Sequence, residues 1–162
     1  TDAYTSPTGG HGTHTAGTIG AASTGRSTAV ETANDPAVIR RCIEIFDFDT
    51  VLIPVNPAET AFKSFIEGVV PPAVEKGMGI IGMKVYLRGF ASKLPWYSTM
   101  EPFFRFALSR TISTVVIGCD SVKQLEENVR LAESFEPLSD AETQELVTGV
   151  GPFARSLMYY KP

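Results

Sequence analysis

The chain has 162 residues, of which 43% are hydrophobic and 20% are charged, and its formal net charge is −4 at pH 7. This composition supports a hydrophobic core and excludes a wholly disordered chain, and the negative charge gives no basic footprint for nucleic acid. No apolar run approaches the roughly 20 residues of a membrane span, and two cysteines, Cys42 and Cys119, provide neither a disulfide framework nor metal-ligand spacing.

The first 30 residues are rich in Gly, Thr, Ser and Ala and contain almost no large apolar side chain. Such a composition favours turns and mobile loops over packed structure. We therefore predict a flexible amino-terminal extension over residues 1–30, with a candidate strand at 18–22, followed by a folded domain over residues 31–162. Because the chain begins without methionine, we expect a fragment, a processed product or an engineered chain.

A histidine motif, GGHGTHTAGTIGA, occupies residues 9–21 of this extension. It resembles the histidine motif of subtilisin-like serine proteases, and the resemblance implies that His11 is a general base. A serine nucleophile needs such an imidazole to accept its proton, and the imidazole needs a carboxylate to orient it. The nucleophile and acid motifs of that family are not found in the sequence. Two other interpretations stay open: His11 and His14 as metal ligands, or as solvated loop residues.

Helices and strands are predicted to alternate after Asn34. The first helix has Asp35 as its N-cap and Pro36 at its first position. The next elements, in order, are a strand within FDTVLIPV ended by Pro57, a helix at 60–76 interrupted near Pro71 and Pro72, a strand within GMGIIGMKVY and a helix at 99–109. A last helix has Ser139 as its cap and Glu142 completing a capping box. This alternation with short connections predicts an α/β fold with a parallel sheet and right-handed crossovers.

Residues 114–132 combine a short apolar run, a glycine and a charged helix. We predict a buried strand at 115–117, a turn at Gly118 and a helix capped by Asp120 or Ser121. The periodic apolar face of this helix consists of Val122, Leu125, Val129 and Leu131 or Ala132. The free amides and the positive dipole end of such a helix favour an anion, usually a phosphate. The alternative is an ordinary strand-to-helix connection without a ligand.

This segment resembles the last strand-loop-helix unit of the aldo/keto reductases, in which polar residues after a glycine turn enclose the adenosine of the nicotinamide cofactor. The matching positions here are Gly118, Ser121, Gln124, Glu127 and Asn128. The resemblance runs from about residue 34 to about residue 150, through DPAVIRRCIEIFDFDTVLIPVNPAE, FKSFIEGVVPPAVEKGMGIIGMKVYLRG and EPLSDAET, in the order of the family's carboxyl-terminal half. It implies a partial, half TIM-barrel-like parallel sheet, since a complete (β/α)8 barrel takes at least about 200 residues.

The resemblance also implies a cofactor site at the end of the strand within GIIGMKVY. Met83 falls at or near the position beneath the nicotinamide, and Lys84 and Arg88 fall in the loop over the pyrophosphate, where they could neutralise phosphate charge. The alternative for Lys84 is an ion pair with a neighbouring carboxylate.

Two positions depart from the family: Leu52 stands where many relatives have a glutamine, and Asp120 stands where NADP-preferring members often carry Lys or Arg. Because a carboxylate repels a 2′-phosphate, we expect NAD(H) to bind better than NADP(H).

The family's catalytic Asp, Tyr, Lys and His have no counterpart in this chain, because the family carries them on the first half of its barrel. We therefore expect an oxidoreductase-like nicotinamide-binding module, cytoplasmic in its reductase-like part, that is catalytically incomplete alone and takes a small-molecule substrate if active. One alternative is a serine hydrolase in which His11 acts with Ser23, Ser27 or Ser98. Another is a non-catalytic oligomeric scaffold. The two resemblances together indicate a chimeric chain.

The strands VLIPV, GIIGM and TVVIG lack the alternation of a half-solvated sheet, so both faces are expected to be buried. A half-barrel also has two open edges that its missing half would cover. We therefore predict a homo-oligomer. The carboxyl-terminal tail, residues 158–162, is expected to be mobile or packed on a neighbour. Phe103, Phe104 and Phe106 are expected to pack within the protein rather than form a ligand box.

Overall fold

A parallel three-stranded sheet lies at the centre of the computed structural model, which describes residues 35–161. The strands are β1 (Thr50–Pro54), β2 (Gly79–Met83) and β3 (Thr114–Val115). They are hydrogen-bonded in the order β1-β2-β3, with both pairs parallel. The predicted α/β class with alternating strand-helix units and a parallel sheet is therefore confirmed.

Helices cover one side of this sheet and continue after it. Those within residues 35–161 are α1 (Pro36–Ile45), α2 (Phe65–Glu75), α3 (Glu101–Leu108), α4 (Val122–Glu133), α5 (Asp140–Val150) and α6 (Ala154–Leu157). Shorter 3₁₀ segments span Pro57–Ala61, Leu87–Lys93 and Gly151–Phe153. The Asp35 carboxylate accepts from the amide of Ala37 to start α1, and Ser139 and Glu142 form the predicted capping box of α5.

Two adjacent prolines do not interrupt α2, so the predicted break near Pro71 and Pro72 is wrong. The helix runs without a break from Phe65 to Glu75 although neither proline has an amide to donate. Its start is fixed by the hydroxyl of Ser64, which accepts from the amide of Glu67 at 3.1 Å. Burial of one face, including Val69, holds the segment helical despite the two missing hydrogen bonds.

One face of the sheet is buried and the other is half open. Val51, Ile53 and Ile80 pack in a cluster with residues of α1 and α2. Leu52 and Ile81, which alternate with them, are only partly buried. The prediction that both faces are buried is therefore wrong for the described residues, because helices α1 and α2 cover just one face.

β3 is shorter and more exposed than predicted. Strand pairing covers only Thr114 and Val115, whereas Val116 is exposed and Ile117 is partly buried. β1 is also an end strand, but α2 lies over it, whereas α4, the helix that follows β3, has no buried residue. The expected buried strand at 115–117 is thus an edge strand in the part of the chain that the structure describes.

α4 has Ser121, one of its two predicted caps, as its N-cap, but most of its apolar face has no cover within the described residues. No residue of this helix is buried. Glu127, Asn128 and Leu131 are half-buried, whereas Val122, Leu125 and Val129 of the predicted apolar face are exposed. The helix therefore turns a mainly polar side, with Leu131 at its end, toward the rest of the described chain.

A second hydrophobic cluster joins the end of the chain to the loops that follow β1 and β2. Its buried members come mainly from α3, α5 and α6 and include Leu87, Phe103, Phe106, Leu146, Val150, Leu157 and Met158. Phe104 is buried too, so packing of the three phenylalanines is confirmed. The tail folds back on the protein, with Lys161 buried. The expectation of a mobile tail, or one packed on a neighbour, is therefore wrong for residues 158–161, the part of the tail that the structure describes.

Several predicted features lie outside the described residues. They are the amino-terminal extension, the candidate strand at 18–22, the histidine motif with His11 and His14, and Ser23 and Ser27. Between residues 35 and 161, no helix is long and apolar enough to cross a membrane.

Acidification is expected to reduce stability through Glu142. The backbone amide and the hydroxyl of Ser139 donate to its carboxylate and, together with Arg105, hold the pKa of Glu142 below its ordinary value of 4.5. A carboxyl group with a lowered folded-state pKa stabilises the fold above its unfolded pKa and loses that contribution as the pH falls through the folded value. Melting curves from about pH 7 to pH 3 should therefore fall less steeply for Ser139→Ala. If the melting temperature falls equally with pH for the unaltered chain and for Ser139→Ala, the hydroxyl of Ser139 does not contribute to the lowered pKa of Glu142.

Candidate nucleotide site at the carboxyl end of the sheet

The loop after β2 has an unusual backbone. Three residues that are not glycine, Lys84, Leu87 and Arg88, have φ angles of 54°, 54° and 58°. Such left-handed conformations cost of order 1–3 kcal/mol each and persist where the surroundings hold them, often at functional sites. Here Leu87 is fully buried and its amide donates to the carbonyl of Lys84 at 2.9 Å. The fold thus maintains a strained loop that places two cations beside the end of β2.

A hydrogen bond ties this loop to α4. The hydroxyl of Tyr86 donates to Oδ1 of Asn128 at 2.5 Å, and Nδ2 of Asn128 donates to Sγ of Cys119 at 3.2 Å. Burial raises the pKa of Tyr86, and the Glu127 carboxylate raises it further, so the phenol remains a donor at neutral pH. The two predicted segments, the loop with Lys84 and the start of α4, are therefore brought together.

The start of α4 is internally hydrogen-bonded. The hydroxyl of Ser121 accepts from the amide of Gln124 at 3.3 Å, and Oε1 of Gln124 accepts from the amide of Asp120 at 2.6 Å. Asp120 is exposed. A Cβ placed on Gly118 would meet nothing within 4 Å, and its φ is not positive, so the turn does not need a glycine for backbone reasons. Open space beside Gly118 leaves room for a ligand to approach the backbone.

Aromatic rings of the tail lie against the two loop cations. The ammonium of Lys84 is 4.7 Å from the ring centre of Tyr160 and 3.6 Å from Sδ of Met83. The guanidinium of Arg88 is 5.3 Å from the ring centre of Tyr159. Contacts of this kind attract a cation to the face of an aromatic ring and so help to fix its position. The tail thus contacts the two side chains for which the resemblance predicts phosphate binding.

Met83 ends β2 on the half-open face of the sheet. It pairs in register with Pro54 of β1 and shares its face with Ile81 and, on the neighbouring strand, Leu52. Its partly exposed side chain is compatible with the predicted place beneath a planar ring. Leu52 supplies an apolar surface there and cannot hydrogen-bond a carboxamide.

Sequence reasoning missed a buried polar cluster next to this site. Nζ of Lys161 lies 2.6 Å from Oε2 of Glu59, and neither side chain has exposed surface. The hydroxyl of Tyr160 donates to Oε1 of Glu59 at 2.7 Å, and burial raises the pKa of this phenol, with the nearby carboxylate adding to the effect. Nδ2 of Asn56 donates to the carbonyl of Lys84 at 3.2 Å, which joins the cluster to the strained loop.

The described residues also include one candidate serine nucleophile, and they bear on the question of a metal site. Ser98 lies in an exposed segment before α3. No group of three or more His, Cys, Asp and Glu side chains in these residues could hold a metal ion.

Comparisons with known proteins identify the fold. No family model and no curated protein matches the sequence. Two solved structures, the apo and holo forms of aldo-keto reductase AKR11C1 from Bacillus halodurans, each match with a TM-score of 0.56 and 18% identity. Each match covers 72% of this chain and 48% of the reductase chain, so this chain spans about half the length of those structures. The likeness shows that the chain has the fold of part of an aldo-keto reductase barrel, in agreement with the predicted half-barrel.

Proposed function

We propose that the chain is a nicotinamide-nucleotide-binding, oxidoreductase-like module built on half of an aldo/keto-reductase-type barrel. The observation that carries the proposal is the strained loop after β2, held by Tyr86 against Asn128 of α4. This arrangement gathers Lys84, Arg88 and the start of α4 at one end of the sheet, where parallel α/β sheets generally bind ligands.

Each part of a dinucleotide has a chemically suitable partner in this arrangement. Lys84 and Arg88 supply positive charge for the pyrophosphate, with the planar guanidinium suited to paired oxygens. Met83 and Leu52 supply apolar surface for the nicotinamide ring. Ser121, Gln124 and Glu127, near the start of α4, supply polar groups for the adenosine. When bound, the nicotinamide would supply hydride transfer.

The same residues explain why we expect the module to be catalytically incomplete alone. Proton transfer to a carbonyl oxygen needs a positioned acid with a pKa near the working pH. The tyrosines at this end of the sheet, Tyr86 and Tyr160, both have raised pKa values and are committed to Asn128 and Glu59. Turnover of a small-molecule substrate would therefore require groups beyond those in residues 35–161.

Cofactor preference tests the proposal. Asp120 is exposed at the start of α4, where its charge would repel a 2′-phosphate, so calorimetry should give a lower Kd for NADH than for NADPH. Asp120→Arg should reverse this order, with a change of roughly tenfold or more in the ratio of the two Kd values. Glu133→Arg, the same charge change at the other end of α4, should leave the ratio unaltered. A ratio that responds equally to both variants would refute the placement of the adenosine.

A further inference from the structure

The outward face of α4 is an apolar surface without cover in residues 35–161. Val122, Leu125 and Val129 are 71%, 53% and 48% exposed, and Val116 beside β3 is 57% exposed. An isolated helix of 12 residues is marginal in water, and most helical stability in proteins comes from packing of the apolar face. We call this surface, residues 116, 122, 125 and 129, the β3 patch.

A second apolar surface lies at the opposite end of the sheet. Val38 and Ile45 on α1, and Phe46 directly after it, are 52%, 66% and 48% exposed. α1 packs on α2, which lies over β1 and β2, while α3 lies against β3. α1 is therefore on the β1 side of the sheet, and we call residues 38, 45 and 46 the β1 patch.

We infer that these two patches are one interface, in which the β3 patch of each chain packs against the β1 patch of a second copy. The inference concerns assembly and is independent of the proposed nucleotide site. Both β1 and β3 are end strands of the described sheet. A two-fold axis along the strands would bring β3 of each copy beside β1 of the other, with every strand still parallel. The two sheets then close into one, and each of the two equivalent contacts buries one β1 patch and one β3 patch.

Length and area favour a second copy as the occupant. Each chain matches 48% of the reductase chain, so two copies supply about the polypeptide of one barrel. The seven exposed side chains of the two patches present several hundred Å² of apolar surface, approaching the roughly 800 Å² that each partner contributes to a standard interface.

Charge also favours this pairing. α1 carries two arginines and one glutamate, whereas α4 carries three glutamates, one lysine and one arginine. The two helices that would meet therefore have net charges of opposite sign. This favours encounter of the β1 patch of one copy with the β3 patch of the other, and it disfavours pairing of two identical patches.

Light scattering coupled to size exclusion tests the interface on the full 162-residue chain. The unaltered chain should elute at twice the 17.5 kDa of one copy at micromolar concentration. Val129→Glu in the β3 patch and Ile45→Glu in the β1 patch should each produce a monomer. Since both residues are exposed, neither substitution removes a core contact, and circular dichroism should report folded variants. Gln144→Glu, which adds the same charge on the exposed side of α5, should remain a dimer.

Three outcomes would overturn the inference. The first is a monomeric mass for the unaltered chain. This result would overturn the inference even if another part of the same chain covered α4. The second is a dimer that survives both glutamate variants. The third is dissociation by one patch variant alone, since the closed pairing requires both patches.

Discussion

Replacing Lys161 by methionine should lower the free energy of unfolding by about 3–5 kcal/mol, because the carboxylate of Glu59 is left charged and unpaired in the interior. Both side chains are fully buried, and Nζ of Lys161 also donates to the carbonyls of Phe62 and Lys63 at 2.9 Å each. The hydroxyl of Tyr160 and the amide of Phe65 would still donate to this carboxylate, but neither carries a charge that offsets it. Urea unfolding followed by circular dichroism measures the change.

An exposed ion pair in the same region provides the control. Lys63 pairs with Asp35 at 2.8 Å, with about a third of each side chain exposed, so Lys63→Met should cost less than about 1 kcal/mol. The double variant Glu59→Leu with Lys161→Met should recover much of the stability that Lys161→Met loses, because no buried charge is left unpaired. Equal losses for Lys161→Met and Lys63→Met would contradict burial of the tail.

Loss of the Lys84 charge should weaken binding of NADH by roughly tenfold or more, since a hydrogen bond to a charged group contributes about 1.5–3 kcal/mol. Methionine at this position keeps a long apolar side chain against the ring of Tyr160 while removing the ammonium. Calorimetric titration of the unaltered chain and of Lys84→Met measures the effect.

The matched control is Lys76→Met, at the opposite end of the sheet. Lys76 follows α2, where its ammonium bonds the carbonyl of Ile43 and the carboxylate of Asp47. Its loss should reduce stability without changing Kd. If Lys84→Met binds NADH as tightly as the unaltered chain, phosphate recognition does not involve this loop.

Local sequence signals predicted most of the fold. Asp35, Ser121 and Ser139 each accept a hydrogen bond from an amide at the start of a helix, which is why caps could be read from the sequence. The short apolar runs became parallel strands in the expected order. These features depend on neighbouring residues, so a pattern of a few positions specifies them.

Features that depend on distant residues were not predictable in this way. The Glu59–Lys161 pair joins positions 102 apart, and nothing in the tail sequence indicates it. The apolar residues of β3 and α4 follow the pattern of a buried strand and an amphipathic helix. Whether they are buried depends on which element packs beside β3, and the local sequence does not indicate that. Pro71 and Pro72 remain in a continuous helix because tertiary packing outweighs two missing hydrogen bonds.

The sequence predicted which residues belong to the candidate site, but it did not predict the backbone conformation or the contacts that position them. The resemblance placed Lys84, Arg88 and Asn128 in it, and Tyr86 joins their segments in the fold. The positive φ angles and the aromatic contacts of the two cations had no signal in the sequence, because they arise from the buried Leu87 and from the returning tail.

Calorimetric titration of the unaltered chain with NADH tests the central claim most directly. We predict a saturable heat with a Kd of about 1 mM or tighter, corresponding to at least about 4 kcal/mol of binding free energy, and a weaker titration with NADPH. Absence of both heat and a thermal shift at millimolar concentrations of either cofactor would contradict the assignment of this end of the sheet as a nicotinamide-nucleotide site.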